Sequence, residues 1–347
     1  MPASMERWQR VAFRRDGESY RLADALLCAA LAGEWKVLEA GILAGIACEL
    51  RSEEEGSPLE DGALAEALRA FRYDRNLIAA EEAQEWLDGW ELTPEDWSAA
   101  LERQLLRRRW QSELPQIAEE YELDDDGLAE IAWADLVCSG TLETLVQRLA
   151  ERVAVVEETD APPVAADRTA ATLPAWLGIS ADENAVRRLA RITAVAEERR
   201  RQELSPLKLR AAIAARPLDW TYIDAVRLVL PTEAMAAEAA LRVREDGETL
   251  DAVGRDIGAP VEGWSGFLEA AEPGLRARLV SSSEGELLGP IREPAGLALL
   301  QVVTRRVPAE SDPVVRAHAE RYVWNQATAR ALEAIEWELP QPRSVSG

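Results

Sequence analysis

The sequence predicts an α+β protein that is mostly helical, with a small β-containing unit in its second half. Apolar residues recur at spacings of three and four through most of the first 156 residues, which is the helical period. The stretch Tyr222–Leu230 is rich in β-forming residues, and 287–292 with 297–305 has the pattern of a β-hairpin. A long amphipathic stretch, 314–336, predicts one closing helix.

Residues 1–156 are predicted to form one helical domain. The helix prediction rests on the apolar period and on the glycine and polar runs that interrupt it. The predicted elements are a helical region at 22–50 broken at Gly33 and Gly41, a polar turn-rich loop at 51–62, helices at 63–74 and 81–90, and two or three helices between 114 and 156.

The clearest helix start in the chain is at Thr93. Threonine is a good N-cap, and Pro94 fits the first helical position because its missing N–H has no partner there anyway. Glu95 and Asp96 complement the positive end of the helix dipole. A helix is therefore predicted from Pro94 onward.

The second half is predicted to contain a linker, a small folded unit, a closing helix and a tail. Residues 157–175 are rich in Pro, Ala, Thr and Asp, as linkers are, and helical patterning returns after them. The predicted divisions are a linker with connecting helices at 157–216, a β-α-α-β-β unit at 217–307, a closing helix at 308–337 that packs on the helical domain, and a disordered tail at 338–347.

Composition excludes several classes of partner. The chain has 63 acidic and 39 basic residues, a net charge of −24, which disfavours binding to a nucleic-acid backbone. Its longest apolar runs, 25–32 and 41–48, fall well short of the roughly 20 residues that a membrane helix needs. No secretory signal is visible in the arginine-rich N-terminus. We therefore expect a cytoplasmic protein with no membrane insertion and no nucleic-acid partner.

The residues that metals and common cofactors require are scarce. Cys28, Cys48 and Cys138 show no CxxC spacing, and His318 is the chain's one histidine, which excludes HExxH and most zinc-cluster patterns. Neither a Walker loop nor a GxGxxG after a strand is present. We expect no metal and no cofactor, a structural role for His318, and buried thiols in a reducing compartment.

The chain has 12 tryptophans, most of them in the helical half. Trp86, Trp90, Trp97 and Trp110 follow helical spacing, so core packing is the first interpretation. The alternative is that some of them line a peptide groove, as aromatic residues do at binding surfaces. The sequence pattern fits both.

Three segments together resemble the parvulin-type foldases related to SurA and PrsA. Residues 226–258 are similar to the family's first strand and following helices, with Leu250 at the phenylalanine of its G-x-x-F-x-x-L-A segment. Residues 285–306 (GELLGPIREPAGLALLQVVTRR) are similar to its final hairpin. Upstream, 68–106 is similar to the helical region of foldase-like proteins associated with peptide-maturation systems. The resemblance implies a SurA-like helical domain completed by the C-terminal helix, plus a parvulin-like domain.

The chain departs from this family at its two histidines. In active parvulins one histidine on the first strand and one on the last flank the prolyl bond. By this resemblance their positions are occupied by Arg227 and Ala298. Isomerisation depends on binding the twisted amide better than the planar one, and the polar groups that tune the groove for this are missing. We therefore expect peptide binding without ordinary prolyl isomerisation, and no catalytic residue.

The resemblance also places the peptide-binding groove. Its expected residues are Arg227, Trp264, Phe267, Leu287 and Ala298. The expected partner is a peptide or unfolded segment, such as a precursor peptide in a ribosomal peptide maturation pathway, with other maturation enzymes as further partners. Three alternatives stay open: a prolyl isomerase with a rewired groove, a peptide-modifying enzyme on this scaffold, and an adaptor between maturation enzymes.

Overall fold

A computed structural model describes residues 3–56, 58–121, 123, 125, 127–157, 173–180, 182–293 and 295–339. The protein is mostly helical with two small antiparallel sheets, which confirms the predicted α+β class. The chain divides into two compact units, Met1–Arg200 with Thr328–Ser344, and Arg201–Ala327 with the last residues. Most of the predicted linker and nearly all of the predicted tail lie outside the described residues, at 158–172 and 340–347.

The elements of the described chain are numbered here by type. The helices are α1 (Ala3–Trp8), α2 (Leu22–Leu31), α3 (Trp35–Glu55), α4 (Ala63–Asp74), α5 (Ala80–Gly89), α6 (Pro94–Arg109), α7 (Leu114–Glu120), α8 (Leu128–Cys138), α9 (Thr141–Val155), α10 (Glu183–Glu203), α11 (Pro206–Ala215), α12 (Glu233–Glu245), α13 (Leu250–Ile257), α14 (Pro273–Ser281) and α15 (Pro313–Leu332). The strands are β1 (Val11–Arg15), β2 (Glu18–Arg21), β3 (Tyr222–Leu230), β4 (Val261–Phe267), β5 (Leu287–Glu293), β6 (Gly296–Arg306) and β7 (Glu336–Trp337).

Residues 1–156 were predicted to be helical, but the first unit also contains a small sheet. β1 and β2 form an antiparallel hairpin, and β7 pairs with the other edge of β1. Asp16 and Gly17 both have positive φ at the two-residue turn, which is the conformation that matches the strand twist. This Asp-Gly pair was the sequence signal for the hairpin. The strands are only five and four residues long, so their alternation was weak.

Helix α3 runs through two places where a break or a loop was predicted. It continues to Glu55, into the predicted loop, and Gly41 lies in its interior. The Arg107 guanidinium comes within 3.4 Å of the position that a Cβ on Gly41 would occupy, and it donates a 2.8 Å hydrogen bond to the Gly41 carbonyl. Gly41 therefore leaves room for a neighbouring side chain rather than ending the helix. The break predicted at Gly33 is present, between α2 and α3.

Tryptophans are a large part of the first unit's core. Trp8 and Trp133 are almost fully buried and meet edge to face, with ring centroids 4.9 Å apart. The Trp133 indole N–H donates a 2.8 Å hydrogen bond to the Trp90 carbonyl, so its one polar group is satisfied. Of the four tryptophans singled out in the sequence, Trp90 and Trp110 are buried, whereas the other two are only partly so.

A buried ion pair joins α6 to α8. The Arg103 side chain is 4% exposed and donates from Nε and Nη2 to one Asp135 carboxylate oxygen, at 3.0 and 2.8 Å. Its third hydrogen bond, from Nη1, goes to Glu49 on α3 at 3.0 Å. One guanidinium thus connects α6 to both α3 and α8, and it is neutralised by a carboxylate from each. Such a pair is costly to bury but far more costly to break on one side.

The second unit contains a four-stranded sheet in the order β4-β3-β6-β5, with every neighbouring pair antiparallel. The predicted β-α-α-β-β unit missed β4, whose strand pattern is interrupted by Gly263 and Gly266. Glycine is depleted in strands, yet all seven residues of β4 pair with β3, so strand pairing overrides the local preference.

The apolar face of α15 is divided between two cores. Val315 and Ala319 pack with Leu209, Ile213 and Trp220 of the second unit. Further along, Ala331, Leu332 and the following Ile335 belong to the core of the first unit. The sequence analysis had placed this whole face on the helical domain. A 20-residue helix is about 30 Å long, which is enough to contribute to more than one core.

No helix among the described residues is long and apolar enough to cross a membrane.

Replacing Arg103 by leucine is expected to destabilise the first unit by about 3–5 kcal/mol, because Asp135 would stay buried without its partner. Urea unfolding followed by tryptophan fluorescence measures this. Arg108→Leu is the matched control, since Arg108 is exposed on the same helix and should change stability by about 0.5 kcal/mol or less.

The double variant Arg103→Leu/Asp135→Leu should recover part of the loss, because it removes both buried charges. Equal effects of Arg103→Leu and Arg108→Leu would contradict the structural role given to this pair.

Candidate functional site

The two faces of the four-stranded sheet are covered differently. On one face, Leu228, Leu230 and Leu299 pack against residues of α12 and α13. On the other, Ile223 and Leu300 belong to a cluster that includes residues of α14 and of the 3-10 turn Leu268–Ala270 before it. Because successive residues of a strand point to opposite faces, the strand register assigns each side chain of the sheet to one of these two surfaces.

Arg227 lies on the second of these faces, directly before Leu228, which points to the first. Directly across the sheet it pairs with Glu262 of β4 and with Leu300 of β6. Its guanidinium donates to Glu262 Oε2 at 3.2 Å and to Glu293 Oε2 at the end of β5. We call these three side chains, Arg227, Glu262 and Glu293, the ion triplet.

The ion triplet is half open to solvent. The Arg227 and Glu293 side chains are 27% and 25% exposed, and Glu262 is 62% exposed. The hydrogen bond that Arg227 donates to Glu293, together with the negative charges of Glu293 and Glu262, raises the pKa of Arg227 above its usual value. The triplet carries one positive and two negative charges, so its net charge is −1. Its guanidinium is already engaged by carboxylates, which leaves it little capacity to bind a phosphate or another anion.

An apolar floor lies beside the ion triplet. Leu288 and Leu300 are opposite each other on β5 and β6, and Ala298 lies opposite Ile291, all on the triplet's face. Ala298 is only 1% exposed. Trp264, partly buried, borders this floor on β4, and its ring extends over Gly266, where no side chain interferes. Leu288, Leu300 and Ala298 are buried, so the apolar groups accessible beside the triplet are the partly buried Trp264 and Ile291. An aromatic and an aliphatic side chain next to charged groups is a combination that peptide-binding surfaces also have.

The structure brings together three of the five residues predicted for the groove. Arg227, Trp264 and Ala298 share the face just described. Leu287 instead packs on the α12 and α13 face, and its neighbour Leu288 takes the expected place. The one-residue difference follows from strand alternation, which a motif match without a known register cannot resolve.

Phe267 is also separated from the other predicted residues. It lies at the end of β4, where it pairs with Tyr222, and its ring centroid is 4.2 Å from that of His318. It packs into the cluster of Trp220 and the first half of α15. Its alternation places it on the opposite face from Trp264, so the groove prediction was wrong about its position.

His318 has a complete set of polar partners. Its Nδ1 accepts a 2.9 Å hydrogen bond from Arg321, which leaves the proton on Nε2 to be donated to Glu269 Oε1 at 2.6 Å. The other oxygen of Glu269 accepts from the Trp220 indole N–H at 3.2 Å. The ring also meets Trp220 edge to face, with centroids 5.0 Å apart. These contacts fit the structural role that the sequence analysis gave to this histidine.

Glu262 and Glu293 were missed by the sequence analysis. Glu262 could have been found as the cross-strand partner of Arg227, but only if β4 had been recognised as a strand. Glu293 was assigned to a turn between the hairpin strands, whereas it is the last residue of β5. Both residues were missed for the same reason: contacts between strands depend on the strand register, which cannot be read from a single sequence.

Within the described residues, no three His, Cys, Asp or Glu side chains come close enough to hold a metal ion. The polar groups of the triplet are bonded to one another, and the rest of its face is apolar. This arrangement offers binding surface rather than an activated nucleophile or a free acid–base pair.

Neither a scan against protein-family models nor a search of curated proteins finds a match to this chain.

Proposed function

We propose that the second unit is a parvulin-like peptide-binding unit and that the protein acts as a foldase-like or chaperone-like peptide binder. The observation that supports this most strongly is the strand order β4-β3-β6-β5. In the family that the sequence resembles, one groove residue comes from the first strand of the unit and one from the last. Here these strands, β3 and β6, are neighbours, and Arg227 and Ala298 lie on the same face of the pair.

The proposed binding surface is the face that carries the ion triplet. An extended peptide would place its apolar side chains against the partly exposed Trp264 and Ile291, because Leu300 and Ala298 below them are already buried. The two edge strands of the sheet, β4 and β5, offer backbone groups that an added strand can pair with. The net negative charge of the triplet favours peptides that carry a basic residue near the apolar anchor.

The proposed substrate is a precursor peptide of a ribosomal peptide maturation pathway. This part of the proposal rests on the similarity of residues 68–106 to foldase-like proteins of such systems. The proposal predicts a short precursor-peptide gene beside the gene for this protein. Inspection of the neighbouring genes tests this.

A photo-crosslinking residue in place of Trp264 is expected to capture a bound peptide. The probe is a biotinylated 12-residue peptide with a central Leu-Pro pair and one lysine, and capture is read as a biotin signal on the full-length chain. Leu241→photo-crosslinker is the matched control, since Leu241 is 58% exposed and lies on α12, which covers the opposite face. Equal capture at both positions, or capture at position 241 alone, would refute the proposed surface.

Prolyl isomerisation is expected to be slow. Without the two histidines, and with Arg227 held by two carboxylates, no mobile polar group is available to stabilise a twisted amide. We expect kcat/KM on short Leu-Pro peptides at least about a hundredfold below that of a histidine-containing parvulin in the same protease-coupled assay. Turnover comparable to that of the control enzyme would favour the alternative of an isomerase with a rewired groove.

A further inference from the structure

A second groove lies in the first unit, between α4 and α5. It has a volume of about 480 Å³. On α4 its lining residues are Ala65, Leu68, Arg69 and Arg72, which follow the spacing i, i+3, i+4 and i+7. The α5 lining repeats this spacing from Ala80 onward. Two helices thus present parallel rows of side chains with a furrow between them, about 10 Å long, or two helical turns.

The floor of this groove is apolar. Leu68, Leu87 and Trp97 contribute from three different helices. The Trp97 indole nitrogen is buried and has no hydrogen-bond partner among the described residues. Because this nitrogen is shielded from solvent, Trp97 offers the groove an apolar ring surface.

The charge of the groove is opposite to that of the chain. The protein has a net charge of −24, yet the groove lining contains Arg69 and Arg72 and no carboxylate. Arg72 is occupied, because it donates to the carbonyls of Leu77 and Ile78. Arg69 is exposed and makes no hydrogen bond or ion pair to any part of the chain that the structure describes. It is a free cation at the rim of an apolar furrow.

We propose that this groove binds a short amphipathic helix of another protein that carries an acidic residue beside its apolar ridge. The two rows at i, i+3, i+4 and i+7 suit a helix lying in a groove, in which apolar side chains one turn apart fill the furrow. An aspartate or glutamate of that helix pairs with Arg69, and its apolar ridge packs on Leu68 and the Trp97 ring. This inference does not depend on the function proposed for the second unit.

The test is fluorescence anisotropy with the full-length protein and two synthetic probes. The first is a fluorescein-labelled 15-residue helical peptide with leucines at i, i+3, i+4 and i+7 and glutamates flanking them. The second has lysine at each glutamate position. The acidic probe is expected to bind at least about tenfold more tightly than the basic one, because only it can pair with Arg69.

Three variants locate the binding site. Arg69→Glu is expected to weaken binding of the acidic probe about tenfold or more, through repulsion in place of attraction. Arg108→Glu makes the same change of charge at an exposed position of α6 outside the groove, and should change the Kd by less than about twofold. Ala65→Trp fills the furrow from an exposed position on α4 and should abolish binding at any salt concentration. Circular dichroism and urea midpoints confirm that each variant is folded.

Four results would overturn the proposal. These are no binding of the acidic probe, equal binding of the basic probe, equal effects of Arg69→Glu and Arg108→Glu, and unchanged binding in Ala65→Trp. The groove could instead be occupied by a second copy of the chain, and sedimentation of the protein without peptide tests for this. Self-association that Arg69→Glu disrupts would assign the groove to a second copy of the chain and would also overturn the proposal.

Discussion

The alternation of side chains along β3 is the constraint on which the second unit depends. Leu228 and Leu230 have to point toward α12 and α13, because they are part of the core that these helices cover. Arg227 then has to lie on the other face, next to Glu262 and Leu300. A slip of one residue would expose the leucines and bury the guanidinium, so the position of the ion triplet is fixed by the packing of the opposite face.

Paired charges set the character of both units, with different consequences. Arg103 is almost completely buried and acts as a structural link between helices, since its partners Asp135 and Glu49 come from α8 and α3. Arg227 remains partly exposed, so its carboxylate partners still face solvent and an approaching ligand. In each case the guanidinium is satisfied by its own chain. In the first unit this pairing favours stable packing, and in the second it suits the binding surface that we propose.

The sequence predicted most of the long helices but little that depends on contacts between strands. The Thr93 start of α6 is confirmed, because an N-cap and its partner Asp96 are only three residues apart. The β1–β2 hairpin and β4 were missed, since short or glycine-containing strands become visible only when they pair. Arg227 and Ala298 could be placed together from a motif. The strand register was needed to find Glu262 and Glu293 and to exclude Leu287 from the groove. That register is set by the folded sheet and cannot be read from one sequence.

Hydrogen–deuterium exchange with a bound peptide is the most direct test of the binding surface. With saturating Leu-Pro peptide, amide exchange should slow in the edge strands Val261–Phe267 and Leu287–Glu293, because a peptide on the triplet face covers or extends them. Exchange in Glu233–Glu245 should stay unchanged, since α12 covers the opposite face. Protection confined to α12 and α13, with both edge strands unaffected, would contradict the account.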